Sequence, residues 1–173
     1  MEYSESKKTG DIGEEEILKR IKKQYPQAYI DERGKANSDW DIWIPEKQYG
    51  VEVKMDYKSK ETGNLLIEVE MNGFFSALTI TKAKYWVFIT GYHFIWITPL
   101  EIYRFLEIHF FYGRTKFTGK GDTAEKTAHL PNLNRFIDYV KNLDKSEGWV
   151  ENILENNILY YDNLIKKIND EIL

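Results

Sequence analysis

Two acids and an amine stand at spacings that suit phosphoryl chemistry: Asp41 in Asp39-Trp40-Asp41-Ile42-Trp43-Ile44, then Glu52 and Lys54 in Val51-Glu52-Val53-Lys54-Met55. Both segments alternate residue character at the period of a β-strand, which sends neighbouring side chains to opposite faces. Glu52 and Lys54 then share one face, against Val51, Val53 and Met55 on the other. Asp39, Asp41 and Trp43 likewise line up opposite Ile42 and Ile44. The connection from Pro45 to Gly50 is short and carries turn residues, so the two strands are expected to pair as a hairpin that sets Asp41 beside Glu52. Adjacent carboxylates with a strand carbonyl nearby form an oxygen-rich site for a hard divalent cation such as Mg²⁺. An ammonium on the same face can orient a metal-bound water and offset charge on a phosphate. The same residues also read as a solvated strand face carrying an ordinary charge pair.

Asp41, Glu52 and Lys54 resemble the D…(D/E)-x-K signature of the PD-(D/E)xK, or restriction-endonuclease-like, nuclease superfamily in its E-x-K form, here without a Pro before the aspartate. Gly10-Asp11-Ile12-Gly13-Glu14 is similar to the Gly-x-x-Gly-Glu start of the first helix in Holliday-junction-resolvase-like members, where the glutamate joins the metal site. The segment reads equally as a capping box, with Glu14 reaching back to the amide of Asp11. Thr62-Gly63-Asn64-Leu65-Leu66-Ile67-Glu68, then Ser76 and Thr81-Lys82-Ala83-Lys84-Tyr85-Trp86-Val87-Phe88, looks like a group of small, mostly phage-encoded members of that superfamily. This likeness spans roughly residues 10 to 98.

The resemblance implies an α/β protein with a restriction-endonuclease-like core, a mixed sheet flanked by helices, and an Mg²⁺-dependent endonuclease activity in which Mn²⁺ can substitute. The substrate it implies is DNA, cut to leave a 5′-phosphate, with recombination or repair roles and branched DNA as one substrate. Asp41, Glu52 and the Val53 carbonyl would hold the cation, Glu14 or Glu68 would complete its shell, and Lys54 would position the attacking water. Lys82 would contact a phosphate. Glu68 and Glu70 read alternatively as decoration on an outward strand face. A restriction enzyme that reads a sequence, and an inert nuclease-like fold that binds DNA or protein, are the other functions considered.

At 173 residues the chain is long enough to bury a core as one domain. It has no cysteine, so disulfides and thiolate zinc sites are excluded and a reducing cytoplasm is expected. Its first residues lack the apolar core of a signal peptide, and no run has the length of a membrane span. The net charge of −4 weighs against indiscriminate binding of nucleic acid. Basic clusters nevertheless survive at residues 19–23, 54–60 and 114–120, and Arg114, Lys116 and Lys120 are candidates for a DNA backbone. His93, His109 and His129 have no ligand spacing.

The elements that must position these groups follow from periodicity. A helix is expected over 11–24, closed by Pro26, then a strand near 28–31, a turn over 32–37 and the two site strands. A strand over 65–70, a short helix or irregular segment over 74–84, a hairpin of 85–90 with 94–97, and a helix from Pro99 to about His109 complete the core. Residues 1–130 are read as the nuclease core and 131–173 as a C-terminal helical extension. In the latter, Val150, Leu154, Ile158, Tyr161, Ile165, Ile168 and Ile172 form a helical stripe that packs on the same chain or in a homodimer.

Overall fold

The computed structural model describes residues 3–37, 39–90, 93–109, 113–118, 123–143 and 155–156. The first helix, α1, runs from Tyr3 to Ile21 and is followed by β1 (Tyr29–Ile30), a short α2 (Glu32–Ala36), β2 (Ile42–Ile44) and β3 (Tyr49–Met55). Next come α3 (Ser59–Thr62), β4 (Ile67–Met71), β5 (Phe74–Phe75), a 3-10 turn at Ala77–Thr79, β6 (Tyr85–Ile89) and β7 (His93–Ile97). The chain continues through α4 (Pro99–Ile108), β8 (Thr115–Thr118), β9 (Glu125–His129), α5 (Leu133–Lys141) and β10 (Glu155–Asn156).

The strands form two sheets, so the protein is a mixed α/β structure with helices on its flanks. One sheet has six strands in the order β1-β2-β3-β6-β7-β10, all antiparallel except the central β3–β6 pair, which is parallel from Val51↔Tyr85 to Met55↔Ile89. The second is antiparallel, in the order β5-β4-β9-β8. Among the described residues no helix is long and apolar enough to cross a membrane.

β6 is buried along its whole length, as a central strand covered on both faces must be. Val87 and Ile89 join Ile12, Ile17 and Ile21 of α1, with Ile42, Ile44, Val51 and Val53, in one apolar cluster. Trp86 and Phe88 point the other way, to Phe105 of α4, Phe136 and Val140 of α5, and Ile67 and Val69 of β4. Phe136 stands edge-on to Phe105 and Phe88, with ring centres 5.0 and 5.7 Å apart, an arrangement the aromatic quadrupole favours. Helix α5 thus packs into the same core as the strands before it.

Several local expectations are corrected. Helix α1 begins well before residue 11, so Asp11 is not its cap and Glu14 does not close a capping box; Gly10 in its interior costs about 1 kcal/mol but does not stop propagation. Residues 32–36 are a helical turn rather than an open one, because the Asp31 carboxylate accepts the Arg33 amide as an N-cap. The 74–84 segment contains a strand and a 3-10 turn. The 114–129 region, read only as a basic cluster and a turn, contributes two strands of the second sheet. At Glu155 and Asn156 the chain is extended and pairs with β7, where a helix was expected; the stripe residues from Val150 to Ile172 lie outside the described residues.

Candidate active site

The β2–β3 hairpin brings the two acids near each other. Ile44 faces Tyr49 and Ile42 faces Val51, the last pair of the ladder, and Asp41 follows just beyond it, near enough to Glu52 for that charge to act on it. There the β2–β3 ladder slips by one residue, the Asp41 amide donating at 3.0 Å to the carbonyl of Val51, which Ile42 already faces, while the Asp31 amide donates to the Asp41 carbonyl at 2.8 Å in the β1–β2 register. The Asp41 side chain turns inward, and its Oδ2 accepts the Val53 amide at 2.7 Å. Since N–H and C=O of one strand residue point to the same side, the Val53 carbonyl also opens toward Asp41. Glu52 Oε1 lies 2.6 Å from Lys54 Nζ, two residues along the same face. The ammonium sits 5.2 Å above the ring centre of Trp86, a contact that holds the cation over an apolar floor.

What precedes Asp41 is held as firmly. Trp40 donates its indole N–H to Asp31 Oδ2 at 3.1 Å and lies against two glycines. A Cβ on Gly34 would come within 2.4 Å of Trp40 Nε1, and one on Gly50 within 2.3 Å of Trp40 Cγ, so both positions admit only hydrogen. Asp31 sits below the usual carboxylate range: burial raises its pKa, but the Trp40 N–H, the Gly34 and Arg33 amides and the Arg33 charge outweigh it.

The pocket is electrostatically strained. Burial, then the neighbouring Glu52 charge, lift the Asp41 pKa from 3.8 to about 7, with Glu14 adding to the rise and Lys54 and the Val53 amide opposing it. For Lys54 burial acts to lower the pKa, yet Glu52, Asp41 and the more distant Glu68 together hold it above the ordinary lysine value. The amine is therefore charged at neutral pH, and two carboxylates share one ammonium.

Glu14 belongs to this field without touching the pair. It is buried, and its pKa is raised first by that burial and further by Asp11 and Glu52, while Lys35 of α2 lowers it through a contact of 2.8 Å. Lys35 also reaches Asp11 at 3.5 Å. Lys35 drew no attention in the sequence, because only the docking of α2 against α1 brings it to Glu14. Because burial and the neighbouring acids outweigh Lys35 and leave the Glu14 pKa raised, Glu14→Gln is expected to keep the melting temperature at pH 7 equal to or above that of the wild type. A lower melt would show that the Lys35 contact outweighs the cost of burying the charge.

Glu68 reaches the site from β4, accepting the Ser76 hydroxyl at 2.7 Å and lying 3.8 Å from Lys126 Nζ. Lys126 is a second residue that the sequence did not single out. Lys82 pairs with Asp39 at 3.0 Å, two residues from Asp41. Arg114 is paired with Glu70 at 3.1 Å and Lys116 with Glu125 at 2.8 Å, so both carry acid partners away from the hairpin. Lys120 lies outside the described residues.

Among the described residues no group of three or more His, Asp or Glu side chains is gathered as a cage for a metal ion. The donor chemistry at the hairpin is two carboxylates and a carbonyl. That set fits Mg²⁺, which keeps several waters and is held by one or two carboxylates rather than by a full protein shell. The raised pKa of Asp41 marks a surplus of negative charge that a cation would relieve. Compared with protein-family models, with characterised proteins and with solved structures, the chain found no match.

Proposed function

We propose that this protein is a divalent-metal-dependent nuclease hydrolysing DNA phosphodiester bonds, built on a restriction-endonuclease-like core, with Asp41, Glu52 and Lys54 as its working groups. The observation that carries the reading is that the β2–β3 hairpin holds the Asp41 carboxylate on the Val53 amide at 2.7 Å, between Glu52 and Lys54 along the strand, which themselves pair at 2.6 Å. Asp41, Glu52 and the Val53 carbonyl would hold Mg²⁺ or Mn²⁺. When bound, the cation supplies acidified water and neutralises charge on the phosphate. Lys54, charged and seated over Trp86, orients a water by hydrogen bonding and offsets anionic charge on the scissile group. Glu14 and Glu68 adjust the field around these groups from α1 and β4, and Lys82, paired with Asp39 two residues from Asp41, is placed to meet an adjoining phosphate.

The test is incubation of the purified protein with single-stranded, duplex, flapped and four-way DNA in Mg²⁺, Mn²⁺ or chelator. Cleavage to 5′-phosphate ends only with divalent cation is expected. Cutting that persists in chelator, or no cutting of any substrate, overturns the proposal. A second reading, an inert fold that binds nucleic acid, is favoured by one observation: Glu52 is already engaged by Lys54.

Metal binding has a pH signature that separates the two. Asp41 has a folded pKa of about 7 against 3.8, so its contribution to stability is present below the lower value and is lost as pH rises through about 7. A cation takes the place of that proton. Mg²⁺ or Mn²⁺ is therefore expected to raise the melting temperature more at pH 8 than at pH 6, with apparent affinity falling up to about tenfold per pH unit below 7. Equal increments at both pH values would sink the carboxylate site.

A further inference from the structure

The strand that carries Glu52 and Lys54 and the strand that follows it, β4, belong to different sheets and share no ladder. The connection between them, from Asp56 to Leu66, is tied across its own ends. Asp56 extends β3 by one residue, its amide donating to the Ile89 carbonyl at 2.8 Å beyond the Met55↔Ile89 pair. Its carboxylate then takes two backbone donors. Oδ2 accepts the Leu66 amide at 2.8 Å and Oδ1 accepts the Ser59 amide at 3.2 Å. Leu66 is the last residue before β4, so one side chain joins the end of β3 to the start of β4.

The rest of the loop is fixed by other groups. Ser59, fully buried, donates its hydroxyl to the Asp56 carbonyl at 2.6 Å, and Gly63 (φ 69°) ends α3 with its amide returned to the Ser59 carbonyl at 2.9 Å. Further out, the Leu65 amide donates to the Pro131 carbonyl at 2.9 Å and the Leu133 amide to the Gly63 carbonyl at 2.8 Å, which anchors the outer edge to the corner before α5. A compact loop with joined ends is the result. Lys54, Asp56 and Leu66 border one cavity of about 230 Å³, so the carboxylate that joins the strands also walls the space onto which Lys54 opens. Only a carboxylate suits the place, because it offers two acceptor oxygens and no donor; an amide would set its NH₂ against one of the two N–H groups. Burial pushes the Asp56 pKa above the ordinary aspartate value despite the Leu66 and Ser59 amides and the Lys58 charge, so the tie is held against a desolvation cost.

We propose that Asp56 is a positioning residue of the candidate active site: its carboxylate clamps the start of β4 to the end of β3 and so fixes the wall of the cavity that Lys54 faces, two residues upstream on the same strand. The proposal rests on the nuclease reading for its effect on rate, whereas the clamp is a property of the fold. Lys54 gains a set position from it without being touched.

The experiment compares kcat, KM, melting temperature and amide hydrogen exchange of the full-length wild type with those of Asp56→Ala, Asp56→Asn and Ser59→Ala, in Mg²⁺ with the DNA form that the wild type cleaves. Asp56→Ala is expected to lose about 10²-fold in kcat at unchanged KM, the effect of a small misplacement of a reacting group. Exchange should quicken at residues 66–68 while 51–53 keep their protection. Asp56→Asn, with one acceptor left, should fall between, and it carries the test by itself if the alanine variant does not fold. Ser59→Ala removes the hydroxyl inside the loop and leaves the Leu66 bond, so it should lower the melting temperature and retain the wild-type kcat. Folded Asp56 variants with wild-type kcat, a loss that appears wholly in KM, or an equal loss of kcat in Ser59→Ala would each overturn the positioning role and leave the nuclease standing. Wild-type protein that cleaves no DNA removes the nuclease, and exchange then decides the clamp: loosening confined to 66–68 in Asp56→Ala upholds it, and unchanged or molecule-wide exchange overturns it.

Discussion

On the proposed nuclease reading, Asp41→Asn, Glu52→Gln and Lys54→Ala are each expected to reduce Mg²⁺-dependent cleavage by at least about 10³-fold while the fold persists, because each would remove charge acting directly on the reacting phosphate or its cation. The stability side of the result is what distinguishes a working site from an ordinary ion pair. Asp41 is held in a field that opposes its charge, so Asp41→Asn relieves repulsion with Glu52 and keeps a side chain able to accept the Val53 amide. Its melting temperature should equal or exceed that of the wild type at pH 8. If Asp41 served only structure, the same substitution would destabilise. A folded variant of any of the three that still cleaves at the wild-type rate would cancel the role given to that residue.

Gly50→Ala should be strongly damaging for a single added methyl. Its Cβ would fall 2.3 Å from Trp40 Cγ, and Trp40 has little room to retreat because Gly34 also lies against it, so closely that a Cβ there would meet Trp40 Nε1 at 2.4 Å, and Asp31 holds its indole N–H. Relief must come from the backbone beside Asp41. Overpacking of this kind costs about 1–3 kcal/mol, seen as a drop of several degrees in melting temperature. On the proposed reading, cleavage should fall further than stability does, since the displaced residue adjoins Asp41. Gly10→Ala is the counterpart: no atom lies within 4 Å of its Cβ and it sits inside α1, so a gain of about 0.5–1 kcal/mol is expected. Thermal melts of both variants beside cleavage rates decide the matter; a Gly50→Ala protein with wild-type melting would show that Trp40 is not wedged.

The hairpin was legible because its signals are local. Alternation in Val51-Glu52-Val53-Lys54 and the turn residues Pro45 and Gly50 specify strands, register and facing residues without reference to the rest of the chain. The apolar run Tyr85–Ile89 was legible as a strand, in a hairpin with the next, for the same reason; its central place beside β3 was not. The second sheet was not legible. Thr115–Thr118 and Glu125–His129 lack an apolar period, and Thr127, Ala128 and His129 become buried only through pairing with β4. The candidate site divides along the same line. Asp41, Glu52 and Lys54 come from one hairpin, whereas Lys35 at Glu14 and Lys126 at Glu68 are products of tertiary docking.

The parallel pairing of β3 with β6 sets an order of assembly. The acids meet in a hairpin closed by a handful of residues, a contact that forms quickly, but their dry surroundings require β6, which is reached only after the chain has traversed residues 56–84. During folding the carboxylates are therefore brought together in water first and stripped of it second. The energetic penalty of their proximity falls on the docking step and not on hairpin closure. If the hairpin holds the proposed cation, divalent ions should accelerate the late phase of refolding and leave the early one untouched, so that the ion would take part in the maturation of the fold.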